Sequence, residues 1–219
     1  MSSDGGGEIR HIVDAYRKAF NQHGRSPASV LCPKGRHGLR FDALLAPVEL
    51  EGRRLLDFGC GLGHLCDHLA ERGIDCDYLG VDIVPDFIDS NRTAYPARCF
   101  ELIGDIADIK GRFDVIVASG VFNLRYLDDA AANEAYVRSR IKQLFELCDD
   151  ALSLDFMTSH VDFQRDDAFH ADPGEMFSFA MREMGRRVVI NHCYMPFEFC
   201  LTILKPDKID RAASVYARS

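Results

Sequence analysis

From residue 54 onward, short apolar runs alternate with stretches whose apolar residues recur every three or four positions. The first pattern predicts buried strands and the second predicts amphipathic helices. The runs are RLLDF at 54–58, DYLGVD at 77–82, RCFELIGD at 98–105, FDVIVASG at 113–120 and ALSLDFM at 151–157. Helical spacing follows the first run, through Leu62, Leu65, Cys66, Leu69 and Ala70, and ends at Gly73, a residue suited to a left-handed cap. A second helix runs through Phe87 and Ile88 to Asn91, and a long one from Asp129 to Asp149 carries Val137, Ile141, Leu144, Phe145 and Cys148. Asp172-Pro173-Gly174-Glu175 combines an N-cap, a proline at the first helical position and a capping-box acid. The stripe behind it is Phe177, Ala180, Met181 and Met184, with Gly185 as the stop.

Two further runs, RRVVINH at 186–192 and FEFCLTILK at 197–205, are separated by Cys193 to Pro196 alone. A parallel crossover needs a dozen or more residues, so these two strands form a hairpin. The pattern predicts one three-layer α/β domain with seven strands, mostly parallel and finished by an antiparallel strand. Upstream, Ile9, Ile12, Val13, Tyr16 and Phe20 predict a helix over Glu8 to Phe20. Asn21 to Arg36 reads as a loop, and Leu39 to Leu50 as a second helix with Phe41, Leu44 and Leu45 apolar. Residues 1–7 read as a disordered end and 8–50 as a helical lid over a site in a single domain spanning 8–219.

Composition narrows the partners. The chain has 219 residues, 47% of them hydrophobic and 27% charged, which suits one ordinary globular domain. A net charge of -8 gives no global field toward phosphate backbones or anionic lipid, so neither nucleic acid nor membrane is expected as a partner. Eight cysteines are scattered without a CxxC pair, as expected of reduced thiols rather than zinc or disulfide chemistry. No apolar leader or membrane-length run appears, and a cytoplasmic location is the expectation.

Candidate chemistry starts at LLDFGCGLGHL, residues 55–65. Gly59, Gly61 and Gly63 follow a strand directly, and Asp82 closes the next strand about 20 residues on, the arrangement of a nucleoside site. Dinucleotide folds space their glycines G-x-G-x-x-G to seat a pyrophosphate on a helix N-terminus. Here the spacing is G-x-G-x-G, Leu62 fills part of that space, and Asp57 would repel phosphate and suit a cation. The ligand expected is a positively charged nucleoside.

On these residues the chain resembles the class I S-adenosylmethionine-dependent methyltransferases, whose first motif reads acid-x-G-x-G-x-G. The resemblance extends from about Leu55 to Lys205 and includes the antiparallel last strand. It implies S-adenosyl-L-methionine as cofactor. Asp57, Gly59, Cys60, Gly61 and Gly63 would hold its methionine end, Asp82 with Ile83 its ribose, and Asp105 with the Ile106 amide its adenine. Ser119, Gly120 and Val121 would lie near the sulfonium. Asp105 also reads as a turn residue ahead of Ile106. The stretch GRHGLRF before the first strand resembles a small-molecule subgroup, which would bring Arg40 to the cofactor carboxylate; a solvated helix face is the other reading. The fourth-strand motif ASGVFN lacks the D/N-P-P-Y of enzymes that methylate base amines.

A sulfonium methyl is already activated, so the enzyme aligns acceptor, carbon and sulfur and excludes water. An alcohol acceptor also needs a base. His160 and Asp162 follow the fifth strand, where open parallel sheets bind ligands, and are the catalytic candidates; His170 lies farther along the same loop. Their other reading is that of surface or loop-pinning residues. Asn123, Tyr194 and Tyr16 are candidate hydrogen-bonding groups for an acceptor. Asp162, Asp166, Asp167 and Asp172 lack ligand-like periodicity, so no metal is expected. The function expected is methyl transfer to a small molecule, oxygen preferred over nitrogen. The alternatives are a protein or RNA methyltransferase, a non-catalytic cofactor-binding module and an NAD-linked oxidoreductase.

Overall fold

The computed structural model of the chain describes residues 5–30 and 36–205. Two helices come first, α1 (Gly5–His23) and α2 (His37–Leu45), and a short 3-10 turn at Pro27–Val30 stands between them. The alternating part then runs β1 (Arg54–Phe58), α3 (His64–Glu71), β2 (Asp77–Asp82), α4 (Pro85–Ala94), β3 (Cys99–Leu102) and β4 (Phe113–Ala118). It continues with α5 (Ala130–Leu147), β5 (Cys148–Thr158), β6 (His170–Ala171), α6 (Pro173–Glu183), β7 (Arg187–Met195) and β8 (Glu198–Leu204).

The strand order is β3-β2-β1-β4-β5-β8-β7, with β1 to β5 parallel and β8 antiparallel to both β5 and β7. These are the seven strands read from the apolar runs, and the four-residue gap is the hairpin expected. The two-residue β6 is an addition: it pairs with β5 inside the segment read as a loop, so His170 sits in a strand.

Alternation along β1 explains the three layers. Leu55 packs with Phe41, Leu44, Leu65 and Leu69 under α2 and α3, while Leu56 packs with Val137, Ile141 and Leu144 of α5 on the opposite face. Each fully buried leucine contributes roughly 1.5–3 kcal/mol relative to exposure, so a one-residue slip of β1 would be costly.

Several boundaries have local causes. The helix expected over 39–50 ends at Leu45: Ala46, still helical in backbone, is its C-cap, and Pro47 has no N–H with which to continue the ladder. The helix expected from Leu62 begins at His64, because Gly61 and Gly63 both have positive φ. Gly73, at φ 65°, is the left-handed stop that the pattern required. Asp129 caps α5 through Ala132 N, and Asp172 caps α6 through Glu175 N. Gly5 to Gly7, read as part of a disordered end, belong to the first turns of α1, and Met1 to Asp4 lie outside the described residues.

Candidate active site

The order of the sheet reverses between β1 and β4, so their C-terminal ends diverge and leave a crevice, the usual ligand position in open parallel sheets. A cavity occupies it. Gly59, Cys60 and Gly61 line it from the β1–α3 turn, and Asp82 and Ile83 from the end of β2. Asp105 and Ile106 line it after β3, and Ser119, Gly120 and Val121 after β4. The roof is N-terminal: Ile12 and Tyr16 from α1, then His37, Arg40 and Phe41 from α2. Tyr16 and Phe20 pack edge-on against Phe87 of α4, with ring centroids 5.8 and 5.7 Å apart, which seats α1 beside the cavity.

The glycine turn is shaped by protein neighbours. Gly59, Gly61 and Gly63 have φ of 73°, 52° and 73°. A Cβ on Gly59 would stand 2.3 Å from Val121 Cγ2, one on Gly61 3.1 Å from Val30 Cγ1, and one on Gly63 2.8 Å from Tyr95 Cε2. These residues are therefore glycine because the chain itself closes on them and because their φ is positive. Gly63 does not line the cavity; it is the left-handed residue that starts α3.

Two buried acids stand under the turn. Asp82 accepts Gly61 N through Oδ2 at 2.8 Å and Val84 N through Oδ1 at 2.9 Å, which fixes the carboxylate at the cavity wall. Burial pushes its pKa up to about 6 against the pull of those amides. Asp57 accepts Tyr78 Oη at 2.7 Å. Burial raises it to about 7; the tyrosine bond opposes the rise and the charge of Asp82 adds to it.

At the far end, Asp105 is the turn residue ahead of Ile106 that one of its readings named, and it stands at the cavity. Its Oδ1 accepts Ala107 N at 3.0 Å in a reciprocal capping box with Asp108, and the residue also lines the cavity. Arg140 of α5 binds Oδ2 and holds the carboxyl below the usual range. Arg140 is itself stacked on Tyr136, 5.0 Å from the ring centroid.

Ser119 and Gly120 rest on Asp155, a completely buried carboxylate of β5. Ser119 Oγ donates to Oδ2 and Gly120 N to Oδ1, each at 2.8 Å. Arg40 approaches the same carboxylate, with Nε 3.5 Å from Oδ2, and forks onto Glu198 of β8 at 2.8 and 2.7 Å. Arg40 lines the cavity, and it is buried rather than the solvated face that was the other reading.

The structure does not bring His160 and Asp162 to the cavity. His160 has a 68% exposed side chain, with Nε2 4.0 Å from Asp172 Oδ2, and Asp162 is exposed on the turn that follows. The loop folds back along β5, where Ser159 N donates to Ala171 O and His170 Nδ1 lies 3.0 Å from Thr158 O. Asn123 holds the β4 loop to β5, its Oδ1 accepting Met157 N at 2.8 Å. Tyr194 packs behind the sheet with a buried hydroxyl. Two imidazoles not singled out in the sequence do line the cavity. His37 and His64 stack with centroids 4.6 Å apart and planes 13° apart. Burial lowers both; His37 falls to about 4, helped by His64 and Arg40. His64 directly follows Gly63, the one sequence signal that would have marked it.

Comparison with known proteins places this geometry. The sequence model of a methyltransferase domain matches residues 35–167. The Mycobacterium tuberculosis protein Rv1506c, assigned as a methyltransferase by name, is 30% identical over 151 residues, which cover 68% of this chain and 91% of that protein. Magnesium-protoporphyrin O-methyltransferase of Rhodobacter capsulatus is 39% identical over 77 residues, 33% of this chain and 34% of that protein. Among solved structures, magnesium protoporphyrin IX methyltransferase from Synechocystis PCC 6803 with bound SAH superposes with a TM-score of 0.65. The identity is 17%, over 92% of this chain and 100% of that one, a likeness of fold.

Proposed function

The chain belongs to the class I S-adenosylmethionine-dependent methyltransferases, and from that premise we propose that it methylates an oxygen of a small molecule held beneath the N-terminal helices. The observation that carries the small-molecule reading is the roof. Ile12, Tyr16, His37 and Phe41 line the same cavity as Gly59, Asp82 and Ser119, so an acceptor would meet the cofactor beneath the chain's own N-terminal helices rather than on an uncovered sheet edge. The net charge of -8 supports the same reading.

The donor set fits the cofactor. Asp82 presents a buried carboxylate held by two amides, suited to the ribose hydroxyls, and the Gly59–Gly61 backbone faces the methionine end. Asp105 with Ile106 forms the wall for adenine. The cofactor, when bound, supplies a methyl carbon already activated by its sulfonium. What the chain adds is alignment and exclusion of water by Tyr16, Phe41 and Val121.

An acceptor hydroxyl must lose its proton. His37 and His64 face the cavity as neutral imidazoles at pH 7, so either offers a nitrogen lone pair there. A base as weak as His37 suits an acidic hydroxyl, a phenol or a carboxylic acid, more than an aliphatic alcohol. The likeness to the Rhodobacter O-methyltransferase supports oxygen over nitrogen.

The test is transfer of an isotope-labelled methyl from S-adenosylmethionine into a cell extract split into small-molecule and macromolecular fractions. Label is expected in the small-molecule fraction, at the carbon shift of an O-methyl group. Label in protein or RNA would overturn the acceptor class, and an N-methyl shift would overturn the choice of atom.

A further inference from the structure

The acid that reaches deepest behind the cavity has no role in the reaction as described so far. Asp155 lies within the apolar run of β5, fully buried, and its two oxygens are directed at the loop that closes β4. Ser119 Oγ and Gly120 N each donate to it at 2.8 Å, and Asn123 Nδ2 stands at 3.5 Å. From α2 it faces Arg40, from β8 Glu198 and Cys200, and from β7 Tyr194. Among the described residues Arg40 is the cation of this group, and its fork is turned onto Glu198. Two carboxylates there share one guanidinium, an excess of negative charge one side chain behind Ser119 and Gly120.

Buried charge of this kind is costly and acts at short range with little screening. The cofactor changes charge during the reaction: its sulfur is cationic before transfer, and neutral once the methyl carbon–sulfur bond breaks and that electron pair stays on sulfur. Resting on the reading that Ser119 and Gly120 lie beside that sulfur, we propose that Asp155 makes the site discriminate between charged cofactor and neutral product, favouring S-adenosylmethionine over S-adenosylhomocysteine and so assisting exchange after each turnover. The residue acts through the wall that it supports and is a positioning residue. Tyr194 and Cys200 hold their protons across the working range, since burial raises both, so neither alters the local charge.

The linkage has a defined sign. Burial raises the Asp155 pKa to about 6, opposed by Arg40. A cation beside the carboxylate favours its ionised form, so S-adenosylmethionine affinity rises as pH rises through this value, whereas S-adenosylhomocysteine affinity gains nothing from it. If the sulfonium lowers the Asp155 pKa by one unit, the ratio of the two affinities rises about fivefold between about pH 5 and about pH 7.5.

The experiment is calorimetric titration of the full-length protein with each ligand across that range, for wild type and Asp155→Asn. Asparagine keeps one oxygen to accept Gly120 N, presents an amide N–H that the Ser119 hydroxyl can turn to accept, and removes the charge. Asp57 and Asp82 titrate nearby in both proteins, so the difference between the proteins isolates Asp155. The expected result is a ratio that climbs with pH in wild type and climbs distinctly less in the variant. A second measurement reads the proton itself: in buffers of different ionisation enthalpy near pH 6, S-adenosylmethionine binding should release more protons than S-adenosylhomocysteine binding does in wild type, and this excess should shrink in Asp155→Asn. Equal proton release for the two ligands, or an unchanged slope in a folded Asp155→Asn protein, would overturn the proposal. Failure of both ligands to bind wild type would overturn the cofactor reading and this inference with it.

Discussion

The Cβ that Gly59 lacks would stand 2.3 Å from Cγ2 of Val121, so the turn after β1 and the loop after β4 interlock across the floor of the cavity. Gly59→Ala forces one of them to move. The substitution is expected to destabilise the protein by about 1–3 kcal/mol through overpacking and to weaken cofactor binding with it. Val121→Ala in the same chain should recover the packing part. It should leave about 1–2 kcal/mol for alanine held at positive φ. Thermal unfolding of the single and double variants, with cofactor titration, checks both parts; a fully restored double variant would mean that the backbone conformation carries no cost.

Asp82 spends one oxygen on Gly61 N and the other on Val84 N, so the acid that is proposed to hold the ribose also fixes the glycine turn. Asp82→Ala is expected to weaken S-adenosylhomocysteine binding by about 1–3 kcal/mol, the cost of leaving polar partners unpaired. Asp82→Asn should lose less, since its carbonyl oxygen still accepts one amide. Equal affinity in Asp82→Ala and wild type would remove the residue from the site.

The buried acids predict an unusual pH dependence of stability. Asp57 at about 7 and Asp82 at about 6 keep protons in the folded chain that the unfolded chain has already released. Their stabilising contribution is complete below the unfolded carboxylate value of about 4 and is lost as pH rises through about 6 to 7. Burial lowers His37, His64 and His68, which act in the opposite sense, so the readout is the comparison with Asp57→Asn: between about pH 5.5 and about pH 8 the melting temperature should fall more, or climb less, in wild type than in the variant. An equal change in the two proteins would contradict the burial account of Asp57.

His160 is mostly exposed and does not line the cavity, whereas His37 and His64 do. His160→Ala is expected to keep the methyl-transfer rate within about twofold, and His37→Gln or His64→Gln to lower it by about 10²-fold where acceptor deprotonation limits the rate. Rates at saturating cofactor decide between them. A large loss in His160→Ala alone would return the base to the loop after β5.

What the sequence made legible is what depends on near neighbours. The bounds of β1 and β2, the start of β4, the Asp172 cap and the stop at Gly73 are all set by residues within a few positions of one another. The residues of the cavity wall were legible too, because topology alone brings the ends of successive strands to one crevice. The partners of that wall were not. Tyr78 meets Asp57 across 21 positions, and Arg40 meets Glu198 across 158. No spacing rule reaches that far. Asp155 left one trace, an acid inside an otherwise apolar strand, and it was read as part of the strand alone. His160 and Asp162 failed as cavity residues because the chain after β5 turns back to form β6, and that two-residue strand has too few residues to leave a pattern.

Arg25 joins the N-terminal segment to the glycine turn by hydrogen bonds. Arg25 donates to Leu62 O at 2.6 Å, to Ser90 Oγ at 2.8 Å and to Asn91 Oδ1 at 2.9 Å; Asn91 Nδ2 in turn donates to Gly61 O at 2.8 Å. The fully buried Asn91 amide thus passes the position of Arg25 to the Gly61 peptide, which lines the cavity. If the helices over the cavity dock through this relay, Arg25→Ala should raise KM for S-adenosylmethionine several-fold while lowering kcat less, because the aligned chamber still forms once ligand is bound. Asn91→Ala should do the same at greater cost in stability, since it leaves Gly61 O without its donor. The double variant decides whether the two act as one unit. Residues in a single hydrogen-bonded network couple, so the combined loss of affinity should fall short of the sum by about 0.5–3 kcal/mol. Strictly additive losses would mean that Arg25 holds the segment to α4 without governing the turn.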